Sequence, residues 1–451
     1  MSSEKYPLQN RGIYRNLPTF DPATKNLTAI ITGANGVSGF GLLRSLLESP
    51  ERWTKIYAIS RRPPPKEMTE KLLRPDQRAR VEHVACDFLD DPSQIAESLK
   101  SASVTRADYI FFYSYFQPRP KPGTGPQEVA EELVRINMSL LSNFLDSLSI
   151  LDIKPRRFAL QTGAKHYGVH LGRLRVPAVE SDPRVSHPEP NFYYPQEDRL
   201  FEWCRKTKYD GKESVGWNII RPAWILGAVN NAQMNALYPF AVYAAVSAHR
   251  NVPLAFPSTW LAWQELNLNA SARLTGYLTE WAVLEDKCKD QAFNAQDTSP
   301  LTWDRLWGEL VRWYNVKKGF VGPADDDKCT IEMKGRAFGE ESPMGYGPPL
   351  VTKLSFSLVN WAKDPENHKA WKEIMAADPN VTYDPFTDVE QNFVWGDAAF
   401  RRSGPVSMNK ARHMGWTGFV DTHESLFEIY GDMARLGMLP PLKVDSAQAL
   451  M

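Results

Sequence analysis

Cysteine is scarce in this chain, with four residues in 451. The nearest two, Cys288 and Cys329, stand too far apart for a CxxC zinc or redox motif, so a reducing compartment is expected. Neither charge dominates. Lys and Arg number 53, and Asp and Glu also number 53. The basic excess that a nucleic-acid or anionic-membrane binder needs is therefore missing. Long apolar runs are missing too. The longest, Leu237 to Ala248, falls short of the roughly 20 residues of a membrane span and reads as a buried helix. Met1 to Pro18 is polar without a signal-peptide core, and the final Gln448-Ala449-Leu450-Met451 is no peroxisomal address. No GxSxG nucleophile motif appears. His166 and His170 have a helical metal spacing, but Gly168 lies between them and no third ligand is near, so no metal is expected. These absences predict a cytoplasmic protein with a small-molecule substrate and with no nucleic-acid or membrane partner. They leave a homodimer open.

What is present is alternation. Strand-like segments at Ala29–Ile31, Lys55–Ser60, Val81–Cys86, Ala107–Tyr115, Arg157–Thr162 and Trp217–Arg221 are separated by helical patterns at Val37–Leu47, Gln94–Lys100, Glu128–Leu148 and Asp198–Lys206. Such alternation predicts βαβ units in an α/β, Rossmann-type, doubly wound parallel sheet with helices on both faces. Beyond about Leu226 the pattern becomes helical and rich in tryptophan, from Trp260, Trp263 and Trp281 to Trp303, Trp307 and Trp313, which predicts core packing. The expected organisation is an N-terminal extension (1–26), a Rossmann core (27–228), and a mainly helical substrate-binding part with returning core elements (229–440). A tail (441–451) follows. Gly319 to Pro349, rich in Gly and Pro and carrying Asp325-Asp326-Asp327, reads as a surface loop or insertion.

The first strand runs into Gly33-Ala34-Asn35-Gly36-Val37-Ser38-Gly39, which opens a helix. Glycines at such a turn let the backbone approach a pyrophosphate that sits on the helix N-terminus. In this position the motif predicts a dinucleotide. An NAD enzyme places an acid at the tip of the second strand, but here the tip reads Ser60-Arg61-Arg62. Two guanidiniums suit the 2′-phosphate of NADP(H). Asp87 and Phe88, after the third strand, are expected to flank the adenine.

Short-chain dehydrogenases carry a Tyr with a Lys four residues later. No such pair follows the fifth strand. The chain reads Leu160-Gln161-Thr162-Gly163-Ala164-Lys165-His166-Tyr167 there, and Asn191-Phe192-Tyr193-Tyr194-Pro195-Gln196-Glu197-Asp198 before the next helix. With these go Arg221-Pro222, Ile225-Leu226-Gly227 and Ser407-Met408-Asn409-Lys410. Together they resemble the progesterone 5β-reductase/iridoid synthase family of atypical extended short-chain dehydrogenases, from about Thr28 to Pro440. Gly168–Gly172 and Gly319–Pro349 depart from the family pattern.

The resemblance implies an NADPH-dependent 1,4-reductase of an activated enone or enal, acting on a bulky, apolar specialised metabolite. It implies Tyr194 as the phenol that holds the substrate carbonyl, with Tyr193 as its rival, and Lys165 beside it. Tyr194 is preferred because Tyr194, Asp198 and Glu202 repeat the spacing of extended members, with Asp in the lysine position. A cation next to a phenol would lower its pKa. The resemblance further implies that Asn35, Gly36 and Val37 contact the pyrophosphate and that Ser114, Gln161 and Ile225 line the nicotinamide. Ala232, Gln233 and Met234 are expected to close over the cofactor. A carbonyl 1,2-reductase, an NADP-scaffolded cyclase or isomerase, and a non-enzymatic NADP(H) sensor are the competing readings.

Overall fold

Leu27–Thr32 (β1) is apolar and buried at every position, as a strand covered on both faces must be. A computed structural model of the chain describes residues 6–118, 123–185, 188–230, 232, 234–401 and 404–448. It places β1 inside a seven-stranded sheet. The other strands are Trp53–Ser60 (β2), Val81–Ala85 (β3), Tyr109–Phe112 (β4), Arg157–Gln161 (β5), Gly216–Pro222 (β6) and Gln291–Ala295 (β7). Their order is β7-β6-β5-β4-β1-β2-β3, and every pair is parallel. The order reverses between β1 and β4, the switch point outside whose carboxyl ends ligands bind in open α/β sheets.

Helices cover both faces. Val37–Leu47 (α1) lies on one, and Pro92–Ser101 (α2), Pro126–Ile150 (α3) and Tyr193–Lys206 (α4) lie on the other. The second half adds Tyr238–His249 (α5), Ala272–Leu284 (α6) and Trp303–Tyr314 (α7). The run from Tyr238 to Ser247 is buried all round, so the longest apolar stretch is a core helix. No helix among the described residues is long and apolar enough to cross a membrane. Helix α6 lies directly on α1: a Cβ on Gly41 would meet the Ala272 Cβ at 2.5 Å. Buried Glu280 on α6 ties it to the sheet, accepting from Arg52 Nη1 at 2.6 Å and Trp53 Nε1 at 2.7 Å.

The sheet takes its seventh strand, Gln291–Ala295, from the 229–440 part, where returning core elements are expected. In the N-terminal extension, Tyr14 and Leu17 are buried, and Arg15 exchanges backbone hydrogen bonds with Phe419 and pairs with Glu424 at 2.5 Å. The 319–349 segment is not merely a surface loop. Phe320–Val321 pairs with Leu254–Ala255, and Ile331–Lys334 forms a hairpin with Val351–Leu354. The tryptophans pack as expected, except that Trp260 is 58% exposed. The four cysteines are free and buried.

Candidate active site

The glycine turn sits where β1 ends. Gly33 has φ +64, and a Cβ there would lie 2.6 Å from the Tyr113 carbonyl oxygen, so neither its conformation nor its surroundings admit a side chain. Gly39 is as confined, because its Cβ would meet the Gly33 carbonyl oxygen at 2.3 Å. Gly36 caps α1 without a side-chain bond, and no acid stands in the first helical turn. The leading N–H groups of α1 are thus left for an anion. Gln161, at the end of β5, donates to Ser38 Oγ at 2.9 Å while its own buried Oε1 has no partner. That cradle fits a dinucleotide pyrophosphate.

At the tip of β2, Ser60 Oγ and Asn35 Nδ2 each donate to the Arg62 carbonyl at 2.8 Å, which fixes the turn carrying the two arginines. Both guanidiniums are exposed, and neither has a carboxylate partner among the described residues. Arg61 lies over the Phe116 ring at 5.4 Å. Asp87 caps its own turn through Leu89 N. The Phe88 ring is only 4% exposed and packs against Phe112 and Phe144, so an adenine could meet its backbone but not its face. Ser114 is half-buried, with its N–H on Thr32 Oγ1 at 3.3 Å. Ile225 is held in a short strand, Trp224–Leu226, paired with Asn269–Ser271. Ala232 and Met234 are half-buried on the turn before α5, and Gln233 lies outside the described residues.

The two arms expected to carry chemistry do meet. Ala164–Tyr167 forms a 3-10 turn after β5, and α4 begins at Tyr193. Asn191 Nδ2 donates to the Lys165 carbonyl at 2.7 Å, and its Oδ1 accepts from Tyr193 N at 3.1 Å. Tyr194 Oη donates to the His166 carbonyl at 2.7 Å and accepts from Val185 N at 2.7 Å. The Tyr194 hydroxyl is therefore committed to backbone. Tyr193 differs: no hydrogen bond reaches its hydroxyl among the described residues, and that oxygen lies 3.3 Å from where a Gly163 Cβ would stand. The Tyr193 hydroxyl thus lies at Gly163, just beyond the carboxyl end of β5, and the Tyr194 hydroxyl lies against the following turn at His166.

Burial raises both phenols above their ordinary pKa. At Tyr193 the neighbouring Tyr115 adds to the rise; at Tyr194 the bond from Val185 opposes it. Lys165 is not among the charges that act on either phenol, and the cation that opposes the rise at Tyr194 is Arg184. Lys165 is itself pushed below the ordinary lysine range, first by burial and then by the charge of Arg336, with Glu189 opposing.

Counting four residues on from Tyr193 reaches Glu197, where short-chain dehydrogenases keep lysine. Glu197 is buried, accepting from Arg221 Nη2 at 3.2 Å and lying 3.3 Å from His166 Nδ1. Burial raises its pKa, but His166 and Arg221 outweigh that and hold it below the usual range. Asp198 is exposed instead, in a two-pronged pair with Arg184 at 2.8 and 2.9 Å. The described residues hold no group of three or more His, Cys, Asp or Glu placed to share a metal ion.

One residue with no sequence signal belongs here. Arg336 pairs with Glu189 at 2.5 Å, and its charge also acts on Lys165 and His170. It comes from a segment whose sequence is loop-like, so nothing in its pattern places it.

A parallel Rossmann sheet, a glycine turn at its switch point and a Lys–Tyr pair of loops together define an oxidoreductase of the extended short-chain dehydrogenase class. The PRISE-like Rossmann-fold domain matches residues 29–338, and the chain belongs to that family. It is 29% identical over 426 residues to the short chain dehydrogenase gsfE of Penicillium aethiopicum, covering 92% of this chain and 99% of that one. It is 27% identical over 427 residues to an (S)-8-oxocitronellyl enol synthase of Antirrhinum majus, covering 92% and 94%. It is 27% identical over 409 residues to a 3-oxo-Delta(4,5)-steroid 5-beta-reductase of Arabidopsis thaliana, covering 88% and 89%. Among solved structures, the terminal R domain from the myxalamid PKS-NRPS biosynthetic pathway shares the fold at TM-score 0.53, 12% identity and 92% coverage of both chains.

Proposed function

We propose that this protein is an NADPH-dependent reductase that delivers hydride to the β-carbon of an activated C=C bond, the enone or enal of a bulky specialised metabolite. The observation that carries the reading is the unpartnered Tyr193 hydroxyl at the carboxyl end of β5, beside the turn that bears Lys165. The relatives named as a steroid 5-beta-reductase and an enol synthase support it.

Bound NADPH supplies the hydride. The N–H groups at the start of α1 and the Arg61–Arg62 pair are suited to its pyrophosphate and 2′-phosphate, with Gln161, Ser114 and Ile225 towards the nicotinamide. Conjugate addition moves charge onto the carbonyl oxygen, so a fixed donor aimed at that oxygen lowers the barrier. Spacing alone nominates Tyr194, but its hydroxyl is spent on His166 and Val185. The role therefore passes to Tyr193. A raised phenol pKa keeps the hydroxyl protonated at working pH, which suits a hydrogen-bond donor to an enolate. Lys165, when charged, adds a cation on the same side.

The test is NADPH consumption across matched pairs of enones and their saturated ketones. Turnover confined to the conjugated partners supports the proposal, and equal turnover of the saturated ketones would replace it with carbonyl reduction.

A further inference from the structure

The turn that carries Arg61 and Arg62 is held at one atom. The Arg62 carbonyl accepts from Asn35 Nδ2, out of the glycine turn, and from Ser60 Oγ, at the end of β2, each at 2.8 Å. Pro63-Pro64-Pro65 follow and have no N–H to give, so the anchoring donors come from elsewhere in the fold. Both guanidiniums are exposed, and their placement depends on this backbone anchor.

Ser60 has a second contact that the arginine motif does not explain. His83 Nε2, on β3, stands 2.9 Å from the Ser60 Oγ. His83 pairs in register with Ala58, two residues before Ser60, so the imidazole and the hydroxyl rise from the same face of the sheet.

The direction of that contact follows from counting protons. A hydroxyl carries one, and that of Ser60 is spent on the Arg62 carbonyl, so the imidazole is the donor. Burial keeps His83 below the ordinary histidine range, with the Arg62 and Ser60 backbone opposing. The ring is then neutral at neutral pH, and its single N–H sits on Nε2. One directed chain results: His83 Nε2–H to the Ser60 hydroxyl, and the hydroxyl to the Arg62 carbonyl. Asn35 closes on the same oxygen from the pyrophosphate side. A donor on the Ser60 oxygen also polarises its O–H, so the two bonds support each other.

We propose that His83 is a positioning residue for the 2′-phosphate of NADP(H): through the Ser60 hydroxyl it fixes the Arg62 carbonyl, and with it the turn that presents Arg61 and Arg62. This rests on the reading of those arginines as the 2′-phosphate site. Cofactor selection then extends from the tip of β2 to a neutral side chain on the neighbouring strand.

Calorimetric titration of the cofactor-free protein with NADP+ and with NAD+ tests this without turnover, since the two differ only in the 2′-phosphate. The wild type is expected to favour NADP+. His83→Phe should narrow that preference by about three- to tenfold, the worth of one hydrogen bond, by weakening NADP+ and leaving NAD+ as it was. His83→Gln, whose amide nitrogen reaches the place of Nε2, should restore most of it. Ser60→Ala should narrow the preference at least as much as His83→Phe, and combining the two should add little. An unchanged preference in His83→Phe or in Ser60→Ala, equal weakening of both cofactors, or no rescue by His83→Gln overturns the proposal. Equal binding of NADP+ and NAD+ by the wild type refutes the NADP reading and the proposal with it, whereas an NADP+ preference that survives both substitutions refutes the proposal alone.

Discussion

The Tyr194 hydroxyl donates to the carbonyl oxygen of His166 at 2.7 Å, and through that bond the start of α4 is fastened to the turn that carries Lys165. A tyrosine so used holds the site together and has no proton donor left for a substrate. The adjacent Tyr193 has its hydroxyl free.

The two tyrosines should therefore fail differently. Tyr193→Phe is expected to lower kcat by about a hundredfold or more, the scale of losing one fixed donor to a developing oxyanion, with an unchanged melting temperature. Tyr194→Phe strands the His166 carbonyl and the Val185 N–H, so it should cost about 1–3 kcal/mol of stability and reduce kcat far less. Steady-state kinetics with thermal unfolding of both variants separates the roles.

Cofactor choice should lie in the arginine pair. Arg61→Gln with Arg62→Gln is expected to raise the KM for NADPH by about tenfold or more while leaving the KM for NADH nearly as it was, since only NADPH carries the 2′-phosphate. A preference ratio that survives the double substitution would place that contact elsewhere.

Gly172→Ala probes the contact between residues 168–172 and 319–349. The new Cβ must displace the Ala337 carbonyl, so a loss of about 1–3 kcal/mol is expected. Faster proteolysis within 319–349 should accompany it.

Asp297 gives a pH signature. Burial raises its carboxyl to about 7, with hydrogen bonds from the Ser271 N–H and hydroxyl opposing the rise. The folded protein thus holds this proton more tightly than the unfolded chain does. The group's stabilising contribution is complete below about pH 4 and is lost as pH rises to about 7, at up to about 1.4 kcal/mol per pH unit. Asp297→Asn should gain on the wild type across that window and level off above it. Urea unfolding of both proteins from pH 5 to 8 measures the difference, and a constant gap would contradict it.

Much of the frame could be read from sequence because its signals are local. An apolar strand such as Ala29–Ile31, a glycine turn and an amphipathic Val37–Leu47 each declare themselves within a few residues. Gln291–Ala295 did not, because a five-residue edge strand amid helices has too few residues to show a period. The choice between Tyr193 and Tyr194 was beyond sequence for a different reason: neighbours on a helix point about 100° apart, and only the packing of α4 decides which one faces β5. Arg336 reaches the site through a tertiary ion pair with Glu189 between distant loops, which leaves no pattern in the chain.

The central claim is hydride delivery to carbon β to a carbonyl, and transfer from C4-deuterated NADPH to a cyclic enone tests it most directly. The account predicts deuterium on the β-carbon of a saturated ketone, with label transfer greatly reduced in Tyr193→Phe. Deuterium on a carbinol carbon, or cyclised product formed with NADP+ and no label, would contradict it.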